Sequence, residues 1–307
     1  MKKIALAAFS ILALTACGGN ETESTNGTVE APETRPVSLH GVRGSHEGQG
    51  GEENTPGMAH STGGAKAKGN GINYHNGPVL LGTTNIHFIY YGTWSPTDTA
   101  ILDNLASNIG GSPYFNINTT YYNASNTHVS NSVAYVSTAT DNYSQGTALS
   151  DAAVKAVVAA QNPTDTNGVY FVLTSPDVNE TSGFCTQYCG WHDHATIGGK
   201  DIKYAFIGNP ARCPSACQNG TAAPNGSVGA DGAASIISHE LEEATTDPDL
   251  NAWYDSRGYE NADKCAWTFG TTYNNGTGVA NMNLGGKDYL IQQNWVNAAG
   301  GYCALKY

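Results

Sequence analysis

The chain is poor in basic residues. Its 307 residues include 14 Lys and Arg against 26 Asp and Glu, which gives a formal net charge of −12 at pH 7. Binding to nucleic acid depends on clusters of Lys and Arg that neutralise phosphates. We therefore expect no nucleic-acid partner, whereas the surplus of carboxylates is compatible with the binding of divalent cations.

The chain also lacks a hydrophobic run long enough to span a bilayer. Its most apolar stretch, "IALAAFSILAL", follows two lysines near the N-terminus and ends shortly before Cys17. A membrane span needs about 20 apolar residues. A short apolar run between a basic start and small residues instead predicts a secretory signal over residues 1–17.

The four residues that end this segment, "LTAC", resemble the cleavage box of bacterial lipoproteins. The resemblance implies that Cys17 carries lipid and becomes the first residue of the mature chain. An ordinary secretion signal with an incidental cysteine is the alternative. The expected location is the cell envelope, with the protein lipid-anchored at the outer membrane or cell surface, or secreted. The anchor is its one expected contact with a membrane.

Large apolar residues are scarce between the signal and residue 70. Residues 18–70 are rich in Gly, Glu, Thr, Ser and Asn, so they cannot bury enough apolar surface to offset the entropy lost on folding. We predict a disordered tether over residues 18–70. Residues 71–307 are long enough to form one domain with a sizeable core.

Cysteine is sparse, with seven residues, but six of the seven lie in the predicted domain. An even set in an exported protein predicts three disulfides. The six residues are Cys185, Cys189, Cys213, Cys217, Cys265 and Cys303. Their pairing stays open, because six cysteines allow many connectivities. The two C-x3-C spacings could instead hold a structural zinc ion, although an oxidising compartment favours disulfides.

Strand and helix patterns alternate along the domain. Apolar, β-branched and aromatic runs predict strands over residues 85–92, 168–178 and 202–209. Serine caps and helical spacing predict helices over residues 95–110, 150–161 and 232–247. The remainder, residues 250–307, is rich in Gly, Asn and aromatics and predicts an irregular lobe.

The segment "SHELEEATTDP", residues 238–248, is close to the zinc-peptidase motif H-E-x-x-H, with Glu243 in place of the second histidine. On a helix, His239 and Glu243 are neighbours one turn apart and can hold one metal ion between them. Glutamate is an accepted zinc ligand. Glu240 occupies the position of the general base that takes a proton from metal-bound water. A solvated acidic helix face is the alternative interpretation.

A catalytic zinc ion needs a third protein ligand. The segment "GYENADKC" offers Glu260, which would enclose the ion from a separate part of the chain, with Asp263 as a further carboxylate. Asp247, one turn along the helix, is the rival ligand. Zn2+ is the expected ion, and Ca2+ or Mn2+ also suits such an oxygen-rich set.

Two more histidines lie in "CGWHDHA", residues 189–195. In a strand, His192 and His194 would point the same way. They could bind a second metal ion, orient a substrate or stabilise an oxyanion. A polar loop held by Cys185 and Cys189 is the alternative, and we favour it for His194. His192 is kept as a candidate catalytic residue and His194 as a possible alternative ligand.

Several further segments of the domain carry recognisable motifs. They are "YHNGPVLLG", "IHFIYYGTW", "VYFVLTSPDV" with "FCTQYCGWH", "FIGNPARCPSAC" and "APNGSVGADG". Together these motifs resemble the phosphate-induced protein 1 (EXORDIUM-like) family, which is known mainly from plant cell walls. The resemblance covers residues 73–303 and implies a secreted protein with one disulfide-bonded domain. It does not extend to His239, Glu240 and Glu243. The chain therefore resembles a bacterial member of the family with a zincin-like HExxE helix.

The predicted strands and helices are followed by the helix that carries His239 and Glu240 and then by a loop-rich tail. This order also resembles the layered zincin peptidases. The expected fold is α/β (α+β), a zincin-like layered sheet with an active-site helix and an irregular, disulfide-bonded C-terminal lobe. The expected function is a metal-dependent hydrolase, specifically a zinc metallopeptidase acting on a peptide or extracellular polymer. The alternative is a non-enzymatic protein that binds glycans or a partner through its 17 Tyr and 5 Trp residues, with any metal being structural.

Overall fold

The computed structural model describes residues 71–218 and 223–307. The predicted signal, the lipidation site Cys17 and the predicted tether lie outside the described residues. The described strands are β1 (Ile72–Tyr74), β2 (Thr84–Tyr91), β3 (Val133–Asp141), β4 (Ala148–Leu149), β5 (Gly168–Thr174), β6 (Asn179–Glu180), β7 (Gly190–Ile197), β8 (Lys200–Ile207), β9 (Trp253–Asp255), β10 (Tyr273–Asn274), β11 (Val279–Ala280), β12 (Met282–Leu284), β13 (Lys287–Tyr289), β14 (Asn294–Val296) and β15 (Tyr302–Ala304). The described α-helices are α1 (Pro96–Asn108), α2 (Asp151–Ala160), α3 (Pro214–Cys217) and α4 (Val228–Thr246).

A five-stranded sheet in the order β3-β2-β5-β8-β7 forms the centre of the fold. The strands β3, β2, β5 and β8 run parallel, and β7 pairs antiparallel with β8 at the edge. The central strand β5 is buried at every residue. Its continuous apolar sequence, without alternation, is what a strand covered on both faces requires.

Serine caps begin the first two long helices, as predicted. The side chain of Ser95 accepts a hydrogen bond from the backbone N–H of Asp98, and Pro96 occupies the first helical turn. The side chain of Ser150 accepts a hydrogen bond from the backbone N–H of Ala153. Both caps satisfy backbone donors that have no partner inside the helix.

The helices cover the sheet on both faces. The crossovers β2–α1–β3 and β3–α2–β5 run in opposite directions along the sheet, so right-handed connections place α1 and α2 on opposite faces. Helix α4 packs against α1 and lies across β7, β8 and β5. The described part of the chain is therefore a mixed α/β structure, as predicted.

Helix α4 begins earlier than predicted, after the cap Ser227, whose side chain accepts a hydrogen bond from the backbone N–H of Ala230. Every residue from Gly229 to Thr246 is buried. The helical pattern predicted a polar stripe opposite an apolar face. The helix is instead enclosed on all sides, because the sheet, α1 and segments that follow α4 pack around it. A solvated acidic face is therefore excluded.

The segment after α4 forms short hairpins. The strands β10 and β11, β12 and β13, and β14 and β15 pair antiparallel, and β9 pairs with β1 at the start of the domain. Each of these strands is two or three residues long. That is too short for a recognisable alternation, which is why the sequence predicted an irregular lobe.

Three disulfides use all six cysteines of the domain, as predicted. The bonds are Cys185–Cys213, Cys189–Cys217 and Cys265–Cys303. The two C-x3-C segments thus bond to each other, which leaves no sulfur for a structural zinc ion. In the two ranges that the structure describes, none of the helices has the length and apolar character to cross a membrane.

The cap of α1 can be tested with a matched pair of serines on that helix. We expect Ser95→Ala to lower the free energy of unfolding by about 1 kcal/mol, because it removes the N-cap acceptor. Ser107, near the C-terminal end of α1, is exposed, and its hydroxyl donates a hydrogen bond to the carbonyl of Asp103. Ser107→Ala should leave stability unchanged or slightly higher. Urea titration measures both, and equal effects would contradict the capping role.

Candidate functional site

His239 and Glu243 lie one turn apart on α4, and their side chains meet. Nε2 of His239 lies 3.0 Å from Oε1 of Glu243, and both side chains are fully buried. This contact follows from the helical spacing of four residues on which the predicted metal site was based.

Asp263 stands beside this pair in a 3₁₀ turn, Asp263–Cys265. Its Oδ1 lies 3.6 Å from Nε2 of His239, and its backbone N–H donates to Oε1 of Glu243 at 3.1 Å. The ligand atoms of His239, Glu243 and Asp263 all lie within 4.8 Å of one another. We call these three residues the helix triad.

His192 and Glu260 form a second group with Glu243. Nε2 of His192 lies 3.1 Å from Oε2 of Glu260 and 3.8 Å from Oε2 of Glu243. The ligand atoms of these three residues also lie within 4.8 Å of one another. We call His192, Glu243 and Glu260 the strand triad.

The predicted ligand set is therefore divided between the two triads. The sequence predicts Glu260 as the ligand that joins His239 and Glu243, with Asp263 as an alternative. The structure brings Glu260 to Glu243 but pairs it with His192, while Asp263 is the carboxylate beside His239. Both carboxylates come from one short loop, so their assignment depends on how that loop crosses α4.

Strand β7 presents alternate residues to α4. A Cβ built on Gly190 would lie 2.6 Å from Cγ2 of Ile236 and 3.0 Å from Oε1 of Glu240, both on α4. His192, two residues further along β7, projects from the same face. Gly190 thus leaves the space that the fully buried side chain of Glu240 occupies. No motif in the sequence marked Gly190 as a site residue.

The carboxylates create a negative potential at His239. Burial by itself lowers the pKa of His239, but the charges of Glu243 and Glu240 and hydrogen bonds with Asp263 and Glu243 outweigh it. The pKa is raised well above its usual value. The site therefore stabilises positive charge at Nε2, whether a proton or a metal ion carries that charge.

Gln292 holds the ring of His239. Its Nε2 lies 3.0 Å from Nδ1 of His239 and donates to the carbonyl of Ala262 at 2.9 Å, while its Oε1 accepts from the backbone N–H of Trp267. The contacts with Ala262 and Trp267 orient the amide so that its N–H points at Nδ1, and a neutral ring then carries its proton on Nε2, which faces the carboxylates. No sequence signal singled out Gln292.

Asp247, the rival ligand, accepts hydrogen bonds from the backbone that follows α4. Its Oδ1 accepts hydrogen bonds of 2.6 Å from the backbone N–H groups of both Asn251 and Ala252, so it caps the loop after α4. Burial raises the pKa of Asp247 to about 6.

Glu242, on the same helix, accepts a hydrogen bond from Nδ2 of Asn294, and burial raises the pKa of Glu242 well above its usual value. Neither Asp247 nor Glu242 belongs to a described triad.

His194 lies on β7, which shows that its segment is a strand and not the loop that we favoured. Its Nδ1 lies 2.9 Å from Oδ1 of Asp201 and 3.7 Å from Oδ1 of Asp249. Nζ of Lys203 contacts the same two carboxylates at 2.5 Å and 3.0 Å. The ligand atoms of His194, Asp201 and Asp249 lie within 4.8 Å of one another, and Lys203 contacts both carboxylates of this partly exposed group.

Comparisons with known proteins support the resemblance. Residues 72–289 match the family model described as the phosphate-induced protein 1 conserved region. Protein EXORDIUM-like 3 of Arabidopsis thaliana is 31% identical, over 76% of this chain and 82% of the relative. Protein PHOSPHATE-INDUCED 1 of Nicotiana tabacum is 28% identical, over 60% of this chain and 67% of the relative. No solved structure matches.

The space at Gly190 can be tested by adding one methyl group. We expect Gly190→Ala to lower the free energy of unfolding by about 1–3 kcal/mol, because the Cβ would meet Ile236, the carbonyl of Phe206 and Glu240. Thr196→Ala, at an exposed position of β7, is the matched control and should cost under about 0.5 kcal/mol. Thermal unfolding compares the two, and a Gly190→Ala protein as stable as the control would contradict the packing.

Proposed function

This chain belongs to the phosphate-induced protein 1 family, and we propose that its domain carries a metal-dependent hydrolase site on α4. The proposal is carried by the convergence of His239, Glu243 and Asp263, three side chains of ligand type, at one buried point. The three disulfides indicate an extracellular or secreted protein. Lipid anchoring through Cys17 is part of the proposal.

The helix triad fits a metal ion in size. Two ligands held by one tetrahedral zinc ion at about 2.0–2.1 Å are about 3.3 Å apart. Nε2 of His239 lies 3.0 Å from Oε1 of Glu243 and 3.6 Å from Oδ1 of Asp263. One imidazole and two carboxylates form a donor set that zinc accepts, and manganese or calcium is the alternative ion.

Metal-dependent hydrolysis would give separate roles to the residues around His239. A bound ion would lower the pKa of a coordinated water and polarise a substrate carbonyl. Glu240 would accept the proton of the attacking water and return it to the leaving amine. The charge of Glu240 already acts on His239. Gln292 would hold His239 in the orientation in which Nε2 faces its carboxylate partners.

The position of α4 relative to the sheet supports a peptide or another extended polymer as substrate. Within the described residues β7 pairs only with β8, so its other edge has no strand partner. An extended peptide can add to such an edge through backbone hydrogen bonds. A sheet whose antiparallel edge strand runs over the ligand-bearing helix is similar to the layered zincin peptidases.

Burial favours a second candidate, a non-enzymatic glycan- or partner-binding protein in which the ion is structural. The side chains of His239 and Glu243 are 0% exposed, whereas a hydrolase must admit its substrate. Tyr273 and Tyr302 are 42% and 44% exposed. Aromatic faces of this kind can stack on sugars.

The catalytic role is tested with two glutamates of α4. We expect Glu240→Gln to fold and bind metal but to hydrolyse a fluorogenic peptide library about 10²–10⁴-fold more slowly, because the amide cannot accept a proton. Glu242→Gln is the matched control. Burial raises the pKa of Glu242 well above its usual value, which favours the neutral carboxyl, so the isosteric amide should preserve activity. Hydrolysis by Glu240→Gln at the wild-type rate would refute the mechanism. Wild-type protein that binds zinc but cleaves nothing would favour the binding protein.

A further inference from the structure

We infer that Glu243 bridges two metal ions, one held by the helix triad and a second held by the strand triad. The inference rests on the metal site proposed above and adds an ion to it. It also changes the role of His192, which becomes a ligand of the second ion instead of a catalytic group.

The two carboxylate oxygens of Glu243 face different histidines. Oε1 lies 3.0 Å from Nε2 of His239, and Oε2 lies 3.8 Å from Nε2 of His192. A carboxylate that offers one oxygen to each of two imidazoles has the arrangement of a bridging ligand. Two-metal hydrolytic sites hold their ions about 3.5–4 Å apart, a separation that one carboxylate can span.

The strand triad is complete without the other ligands of the helix triad. Its closest pair, Nε2 of His192 and Oε2 of Glu260, is separated by 3.1 Å, near the roughly 3.3 Å expected around one tetrahedral zinc ion. The triads share only Glu243, and the two histidines fall in separate groups. A single ion bound in one triad would therefore not be coordinated by the histidine of the other triad.

The two triads have matching composition. Each combines one histidine, one terminal carboxylate and the shared Glu243. The terminal carboxylates, Glu260 and Asp263, come from a single loop, in which the backbone N–H of Glu260 donates to Oδ2 of Asp263 at 3.3 Å. The loop thus delivers one carboxylate to each triad, while α4 supplies the bridge between them.

Burial strengthens the case for the second ion. The side chains of His192, Glu243 and Glu260 are 1%, 0% and 5% exposed. Nε2 of His192 can carry at most one proton, which it would have to share between two carboxylates. A divalent cation would coordinate the imidazole and both carboxylates together, which offsets the cost of removing these charges from water.

The test counts zinc in the full chain. The wild type and single variants are stripped with chelator, dialysed against zinc and analysed by elemental mass spectrometry. We expect two zinc ions per chain in the wild type and one in each of His192→Ala and His239→Ala. His194→Ala, two residues along the same face of β7, is the matched control and should keep two.

The outcomes separate this inference from the proposed function. One zinc ion in both the wild type and His192→Ala would overturn the bridge and leave a single-ion hydrolase. Two ions without hydrolysis would keep the bridge and overturn the hydrolase. No bound zinc in the wild type would overturn both.

A second measurement does not depend on whether the variants fold. The wild-type chain loaded with Mn2+ should give the electron paramagnetic resonance spectrum of a spin-coupled pair, because bridged ions lie about 3.5–4 Å apart. A spectrum of isolated Mn2+ ions at saturating metal would overturn the bridge. In folded His192→Ala protein the coupling should disappear while one Mn2+ stays bound.

Discussion

The structure depends on the burial of an acidic helix. Glu240, Glu242 and Glu243 lie within four positions of α4, and all three are fully buried. An ionised carboxylate removed from water costs several kcal/mol unless it is paired. Burial raises the pKa of Glu242, which favours its neutral form, and Asn294 donates a hydrogen bond to it. Glu243 instead lies between the imidazoles of His192 and His239.

The surrounding elements supply these partners from distant parts of the sequence. The edge strand β7 contributes His192, and Gly190 on the same strand leaves room for Glu240. The loop after α4 contributes Glu260 and Asp263. The Cys265–Cys303 disulfide ties the segment next to this loop to the end of the chain. The C-terminal hairpins therefore pack over α4.

Sequence patterns predicted the features that depend on near neighbours. The caps at Ser95 and Ser150 and the contact between His239 and Glu243 follow from spacings of three or four residues, which one helical turn sets. The carboxylate that lies beside this pair could not be predicted in this way. Glu260 and Asp263 are equivalent in the sequence, and the carboxylate beside His239 depends on the path of the loop across α4.

The sequence by itself determined the α/β class, the three disulfides and the contact between His239 and Glu243 on α4, because composition and local periodicity set these features. Only the tertiary structure decided that Asp263 lies beside His239, that His192 reaches Glu243 and that Gln292 holds the imidazole ring. These contacts join segments far apart in the chain. Their positions are set by the packing of β7 and the C-terminal segment against α4, and no local pattern encodes that packing.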